Sequence, residues 1–188
     1  MGKLIKKMGK KFYRVDICGL KRDLPIFKVN DNLKIAIFNI LGDTEIVERA
    51  AAHLAKRIPK NTNLLVTPEV KSIPLAYELS RILKIPYVVA RKIKKPYMKG
   101  ALKYEVLSIT TGKPQTLWLD GKDLKLIKNK NVVLVDDVVS TGSTISGLKT
   151  LVKKAGGKVI LTACVFTEGN HPKKWKNAIS LGNLPIFD

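Results

Sequence analysis

Val132-Val133-Leu134-Val135-Asp136-Asp137-Val138-Val139-Ser140-Thr141-Gly142-Ser143-Thr144 is the run that decides the fold. Its first four residues are apolar and mostly β-branched, the pattern of a strand buried in a parallel sheet. Two adjacent carboxylates, Asp136 and Asp137, stand at the strand's carboxyl end, where open α/β sheets hold their ligands. A short turn of small hydroxylated residues around Gly142 then feeds a helix from Ser143 to about Ala155. Such a turn can aim several backbone N–H groups inward, and the helix start adds positive potential, so a phosphate fits there. A ligand carrying vicinal hydroxyls and a phosphate satisfies both halves. The carboxylates accept the hydroxyl hydrogens, and the turn from Ser140 to Thr144 holds the phosphate.

The same alternation of strand and helix extends outward from this run. Upstream, Leu64 to Thr67 reads as a core strand, Pro68-Glu69-Val70-Lys71-Ser72 as its exit loop, and Pro86 to Ala90 as the next strand. Between them Ile73, Ala76, Leu79, Ile82 and Leu83 stripe a helix, with Pro74 in the first turn, where its missing N–H costs little. This makes a β-α-β unit with a right-handed connection. Downstream, Gly156-Gly157 stops the central helix and Val159 to Ala163 is a further core strand. Asp43 is a good N-cap for a helix whose apolar face carries Ile46, Val47, Ala50, Ala51, Leu54 and Ile58. His53 lies in that helix with no partner signal.

The remaining segments frame this core. Phe12 to Ile17 and Leu33 to Phe38 read as strands, with Gly19 to Pro25 as a turn, and together they form an N-terminal subdomain over about 12–40. The core runs over about 41–168. Arg91 to Gly100 is a strongly basic loop, followed by a hairpin of two alternating runs, Leu102 to Thr110 and Gln115 to Leu119, joined through Thr111-Gly112-Lys113-Pro114. Asp120 to Asn129 reads as a polar connection or a short helix. The tail, 169–188, reads as irregular, with an apolar end at Leu184-Pro185-Ile186-Phe187 able to pack back. Residues 1–11 carry five lysines and little pattern, as a loosely docked end does.

A length of 188 residues suits one domain, 1–188, and 45% apolar content is ordinary for a globular chain. No stretch is long and apolar enough to span a membrane, and the basic start lacks a signal-peptide core. Cys18 and Cys164 lie far apart without metal-ligand spacing, so reduced thiols and a cytoplasmic location are expected. The formal charge of +20 attracts polyanions. Aromatics are only 6% and the lysines are spread along the chain, so nucleic acid stays open as a partner without being favoured.

The apolar strand, acid pair and Thr-Gly turn resemble the phosphoribosyl-diphosphate (PRPP) motif of type I phosphoribosyltransferases, and the order of elements is most similar to the adenine phosphoribosyltransferase family. The resemblance implies an α/β fold: a central, mainly parallel sheet flanked by helices, a small N-terminal hood and a flap hairpin. It implies that Asp136 and Asp137 hold the ribose hydroxyls of PRPP while Ser140, Thr141, Gly142, Ser143 and Thr144 bind its 5′-phosphate. Glu69, Val70 and Lys71 match a pyrophosphate loop of the adenine type, and Arg91, Lys95 and Tyr97, in the place of a mobile flap, are further pyrophosphate candidates. Ile37, Phe38 and Asn39 align with the stretch that embraces the base. The implied partners are PRPP and a purine base, the cofactor is Mg²⁺ held mainly by PRPP with Asp136 and Asp137 acting indirectly, and the implied assembly is a homodimer.

Three departures from the family pattern stand out. Thr110-Thr111 replaces a Glu-Tyr pair before Gly112, so a catalytic role for that glutamate does not transfer, and Glu105 is not a safe substitute. Asn39 replaces an arginine, and its amide can donate or accept, so it suits a 6-oxopurine as well as adenine. Ser140 stands where hypoxanthine-guanine enzymes carry an aspartate. The implied function is purine salvage with adenine favoured, a 6-oxopurine enzyme being the alternative. A PRPP-sensing regulator that binds nucleic acid is the reading from another class.

Overall fold

The computed structural model describes residues 11–107, 114–169, 175 and 177–187. At the N-terminus β1 (Phe12–Ile17) and β2 (Leu20–Asn30) form an antiparallel hairpin with Ile17 opposite Leu20. The whole turn is Cys18-Gly19, with φ of 52° and 90°, the two positive values that a two-residue turn of type I′ demands. The turn predicted over Gly19 to Pro25 is therefore wrong, because Leu20 already begins the second strand. Pro25 is tolerated inside it. Its carbonyl accepts the Ile37 N–H at 2.9 Å, and its missing donor falls beyond the end of β3 (Leu33–Ala36).

α1 (Thr44–Ala55) begins as its sequence predicts: the Asp43 side chain accepts the Ile46 N–H at 3.2 Å. Arg22 of β2 grips the same cap, 2.8 Å from Asp43 and 2.8 Å from Glu45, fastening the hairpin to the helix start. There follow β4 (Leu64–Pro68), α2 (Ile73–Leu83), β5 (Tyr87–Ala90), and the hairpin of β6 (Leu102–Leu107) and β7 (Pro114–Leu119). Then come α3 (Gly121–Ile127), β8 (Asn131–Val139), α4 (Ser143–Lys154) and β9 (Lys158–Glu168). The chain ends in β10 (Ala178–Ile179), β11 (Gly182–Leu184) and β12 (Ile186–Phe187). The polar connection after β7 thus contains a short helix.

The central sheet is parallel throughout, in the order β10-β9-β8-β4-β5, with β11 also on β9. Because side chains alternate across a strand, each strand feeds two cores. Leu65, Val133, Val135, Ala163 and Val165 face α1, α2 and the hood, whereas Leu64, Val66, Val132, Leu134 and Cys164 face α4 and the hairpin. The tail is not irregular, contrary to expectation. β12 pairs with β3, adding a fourth strand to the hood, and Tyr13 and Phe187 meet edge to face at 5.5 Å. Among the described residues, no helix is long and apolar enough to cross a membrane.

One inequality in strand length creates the site. β8 continues through the acid pair and pairs with β9 as far as Val139, but its ladder with β4 stops at Leu134. Asp136 and Asp137 therefore stand beyond the end of that ladder, next to the loop that leaves β4.

Candidate active site

Both carboxylates are nearly enclosed, Asp136 at 6% exposure and Asp137 at 5%. The Asp137 N–H donates to Asp136 Oδ1 at 3.0 Å. Burial first, and the adjoining Asp137 carboxyl second, push Asp136 well above the usual carboxylate range; the Ser72 hydroxyl pulls weakly the other way. Ser72 itself is held by Thr67, the two buried hydroxyls 2.8 Å apart. Cys164, opposite Asp136 on β9, is a free thiol pushed up to about 12 chiefly by burial.

Asp137 faces Lys71. The ammonium lies 3.3 Å from Asp137 Oδ2, yet off the axis of a hydrogen bond, so this buried oxygen has no donor among the described residues. Lys71 gives its hydrogen bond to the carbonyl of Phe38 instead. One lysine thus touches the pyrophosphate-loop position, the acid pair and the stretch expected to embrace the base. An enclosed carboxylate oxygen without a donor is costly unless a ligand supplies one.

After β8 the chain turns through Ser140 to Thr144. Gly142 takes φ 81°, and no side chain caps the start of α4. The Ser143 N–H makes only a long bond to Thr141 Oγ1, at 3.4 Å, which an anion at this helix start can replace. Thr141 and Ser143 hydroxyls lie 3.0 Å apart at the mouth of this turn. A cavity of about 390 Å³ opens there, walled by Tyr104 and Glu105 of β6 on its far side.

The remaining predicted positions divide. Glu69 and Arg91 come together, Nε to Oε1 at 2.9 Å, and Glu69 Oε2 accepts the Lys92 N–H at 2.9 Å. Glu69 therefore anchors the basic loop, and a carboxylate so placed organises cations around a pyrophosphate rather than touching it. Arg91 is fixed further by paired backbone bonds with Trp118 of β7, both 2.8 Å. Val70 is half-buried in the loop, its N–H donating to the Pro68 carbonyl at 2.8 Å. Lys95 and Tyr97 are not brought to the acid pair. Lys95 bonds through its backbone to Met98, and Tyr97, 63% exposed, lines with Arg91 a separate cavity of about 340 Å³ beside β5.

Among the base candidates, Phe38 is buried against Phe166, rings 5.0 Å apart and edge to face. Its backbone, not its ring, reaches the site. Ile37 is half-buried, and Asn39 is exposed with its side-chain oxygen accepting the Leu41 N–H at 3.3 Å. Thr110, Thr111 and Gly112 lie outside the described residues. Sequence reasoning missed Trp175, whose ring packs on Gly142 so closely that an added Cβ would sit 2.3 Å from it. A lone tryptophan in a polar tail gives no hint of that contact.

Mg²⁺ suits this arrangement only in the indirect manner expected. The donorless Asp137 Oδ2 offers it an oxygen, and no group of three or more His, Cys, Asp or Glu gathers there among the described residues. A diphosphate would have to supply most of its ligands.

Known proteins align with this architecture. The phosphoribosyl transferase domain family matches residues 38–184. The hypoxanthine/guanine phosphoribosyltransferase of Methanococcus voltae is 32% identical over 136 residues, 72% of this chain and 69% of that protein. The adenine phosphoribosyltransferase of Thermosipho africanus is 31% identical over 152 residues, 78% of this chain and 84% of that one. Among solved structures, adenine phosphoribosyltransferase from Thermoanaerobacter pseudethanolicus superposes with a TM-score of 0.65 at 21% identity, covering 92% of this chain and 95% of that chain, a likeness of fold. With more than three quarters of its length matched, the acid pair and phosphate turn included, this chain belongs to the phosphoribosyl transferase domain family and has its type I fold.

Proposed function

We propose that the protein transfers the 5-phosphoribosyl group of PRPP to a ring nitrogen of a purine base, releasing pyrophosphate and forming a nucleoside 5′-monophosphate. The observation that carries this reading is the enclosed Asp136–Asp137 pair, with its donorless oxygen, set beside an uncapped, glycine-centred turn. Asp137 Oδ2 accepts a ribose hydroxyl, Asp136 orients it, and the Ser140–Thr144 amides and hydroxyls hold the 5′-phosphate. Lys71 turns from Asp137 to the pyrophosphate as it leaves, with Arg91 steered by Glu69 behind it; Lys95 and Tyr97 reach it only if the basic loop closes. Mg²⁺ bound to the diphosphate offsets its charge. The protein mostly positions and neutralises, so no nucleophilic side chain is required.

Adenine is the base placed first, because the Glu69-Val70-Lys71 loop and the order of elements are of the adenine type. A 6-oxopurine is the second reading, supported by Asn39 at the exposed rim of the hood and by the Methanococcus voltae relative. We further propose a cytoplasmic homodimer, on the family resemblance. The test is pyrophosphate release from PRPP and Mg²⁺ with adenine, hypoxanthine, guanine and xanthine supplied separately, beside Asp137→Asn. Turnover with one base, lost in the variant, is expected. Silence with all four, while PRPP still binds, would favour a regulator.

A further inference from the structure

The face of α4 turned away from the flap hairpin carries a second cavity that this chemistry does not use. It measures about 430 Å³, within the usual range for a small-molecule pocket, and lies between α4 and the start of β9. Lys149 and Lys153 of α4 and Lys158 of β9 line its rim, over a floor of Val159, Ile160 and Leu161. The floor exists because β9 is an edge strand over this stretch: its pairing with β10 begins only at Thr162. No carboxylate is among the lining residues, and none of the three lysines has an ion-pair partner among the described residues. Lys149 and Lys153 are four apart on one helix face, a like-charge spacing that disfavours the helix unless an anion intervenes.

Two features distinguish this place from a lysine-coated surface. Thr162, 3% exposed, lines the cavity and sets a polar side chain beside the lysines. Second, Lys149, Thr162 and Asn177 also line an adjoining cavity of about 240 Å³, whose wall includes Trp175. That ring packs directly on Gly142 of the phosphate turn. An occupant of the trough therefore has a short mechanical route to the proposed PRPP 5′-phosphate site.

We infer that the α4–β9 trough binds a nucleoside polyphosphate, with its phosphates on Lys149, Lys153 and Lys158 and its base over the apolar floor. A bare phosphate would leave that floor uncovered, and an uncharged ring would leave three ammonium groups unanswered. The consequence for turnover, altered affinity for PRPP through Trp175, rests on the function proposed above; the binding itself does not.

The chain has two tryptophans, so Trp118→Phe leaves Trp175 as the sole emitter. This variant, with PRPP and Mg²⁺ saturating so that the first site is filled, is titrated with ATP, GTP and inorganic triphosphate. A saturable change in Trp175 emission with a nucleotide is expected. It should weaken at least tenfold when Lys149→Glu and Lys153→Glu are added, with Lys158→Glu as an independent variant in the same direction should the pair fail to fold. An unchanged response in the charge-reversed proteins, no saturable response, or triphosphate binding as tightly as the nucleotides would each overturn the assignment. Pyrophosphate release by the unaltered protein is measured separately, so the two readings fail independently.

Discussion

Burial and the adjoining Asp137 carboxyl raise the Asp136 carboxyl, and that has a measurable cost. A carboxyl raised in the folded state keeps a proton that the unfolded chain releases, so folding weakens as pH climbs above the ordinary aspartate value of about 3.9. Asp23, Asp43 and Glu78 are shifted the opposite way, each chiefly by its arginine partner's hydrogen bond, so total stability against pH mixes both signs. The difference between the protein and Asp136→Asn isolates the first. The variant should gain in melting temperature relative to the parent as pH rises from 4 upward, in thermal scans at several pH values. A constant offset would show that Asp136 is not the raised group. Lys71 is the other decisive residue, because it faces Asp137 and the Phe38 carbonyl at once. Lys71→Met should raise the KM for PRPP by about tenfold or more, the loss of roughly one charge-assisted contact, in initial-rate measurements; an unchanged KM would remove it from the site.

At the scale of elements, the phosphate turn depends on one backbone conformation and one close approach. Gly142→Ala forces a β-carbon into a positive φ and against the Trp175 ring. The conformation alone costs about 1 kcal/mol, and for a chain of this size each such unit lowers the melting temperature by about 2–4 °C. Calorimetry should show that loss or more, together with weakened PRPP binding. What was legible in the sequence follows the range of the forces involved. The Asp43 cap, Pro74 in the first turn of α2 and the turn after β8 are each written in a stretch of about five residues, and all appear where expected. β2 was misread because Pro25 looks like a breaker, and its tolerance depends on where distant β3 ends. The tail was misread because two- and three-residue strands exist only through partners on β9 and β3. The contact between Trp175 and Gly142 is of the same long-range kind.

The whole molecule is two cores sharing one sheet, with the hood closed over one end by the last strand of the chain. Leu184 is fully buried and β12 completes the hood sheet against β3. Removing residues 185–188 should therefore speed amide exchange at Lys34 of β3, whose partner on β12 is Phe187, while leaving β8 protected, because strand-edge amides are released locally before the core opens. Equal protection in both would mean that β12 contributes nothing to the hood. The same geometry brings Phe38, Lys71, Asp137 and the phosphate turn to a single end of β8, and the central claim is that this end binds PRPP. The direct measurement is calorimetric titration of PRPP with Mg²⁺ into the protein and into Asp136→Asn/Asp137→Asn. Saturable binding of one PRPP per chain, weakened at least tenfold in the double variant while its fold is retained, is expected. Equal affinity in both proteins would contradict the account.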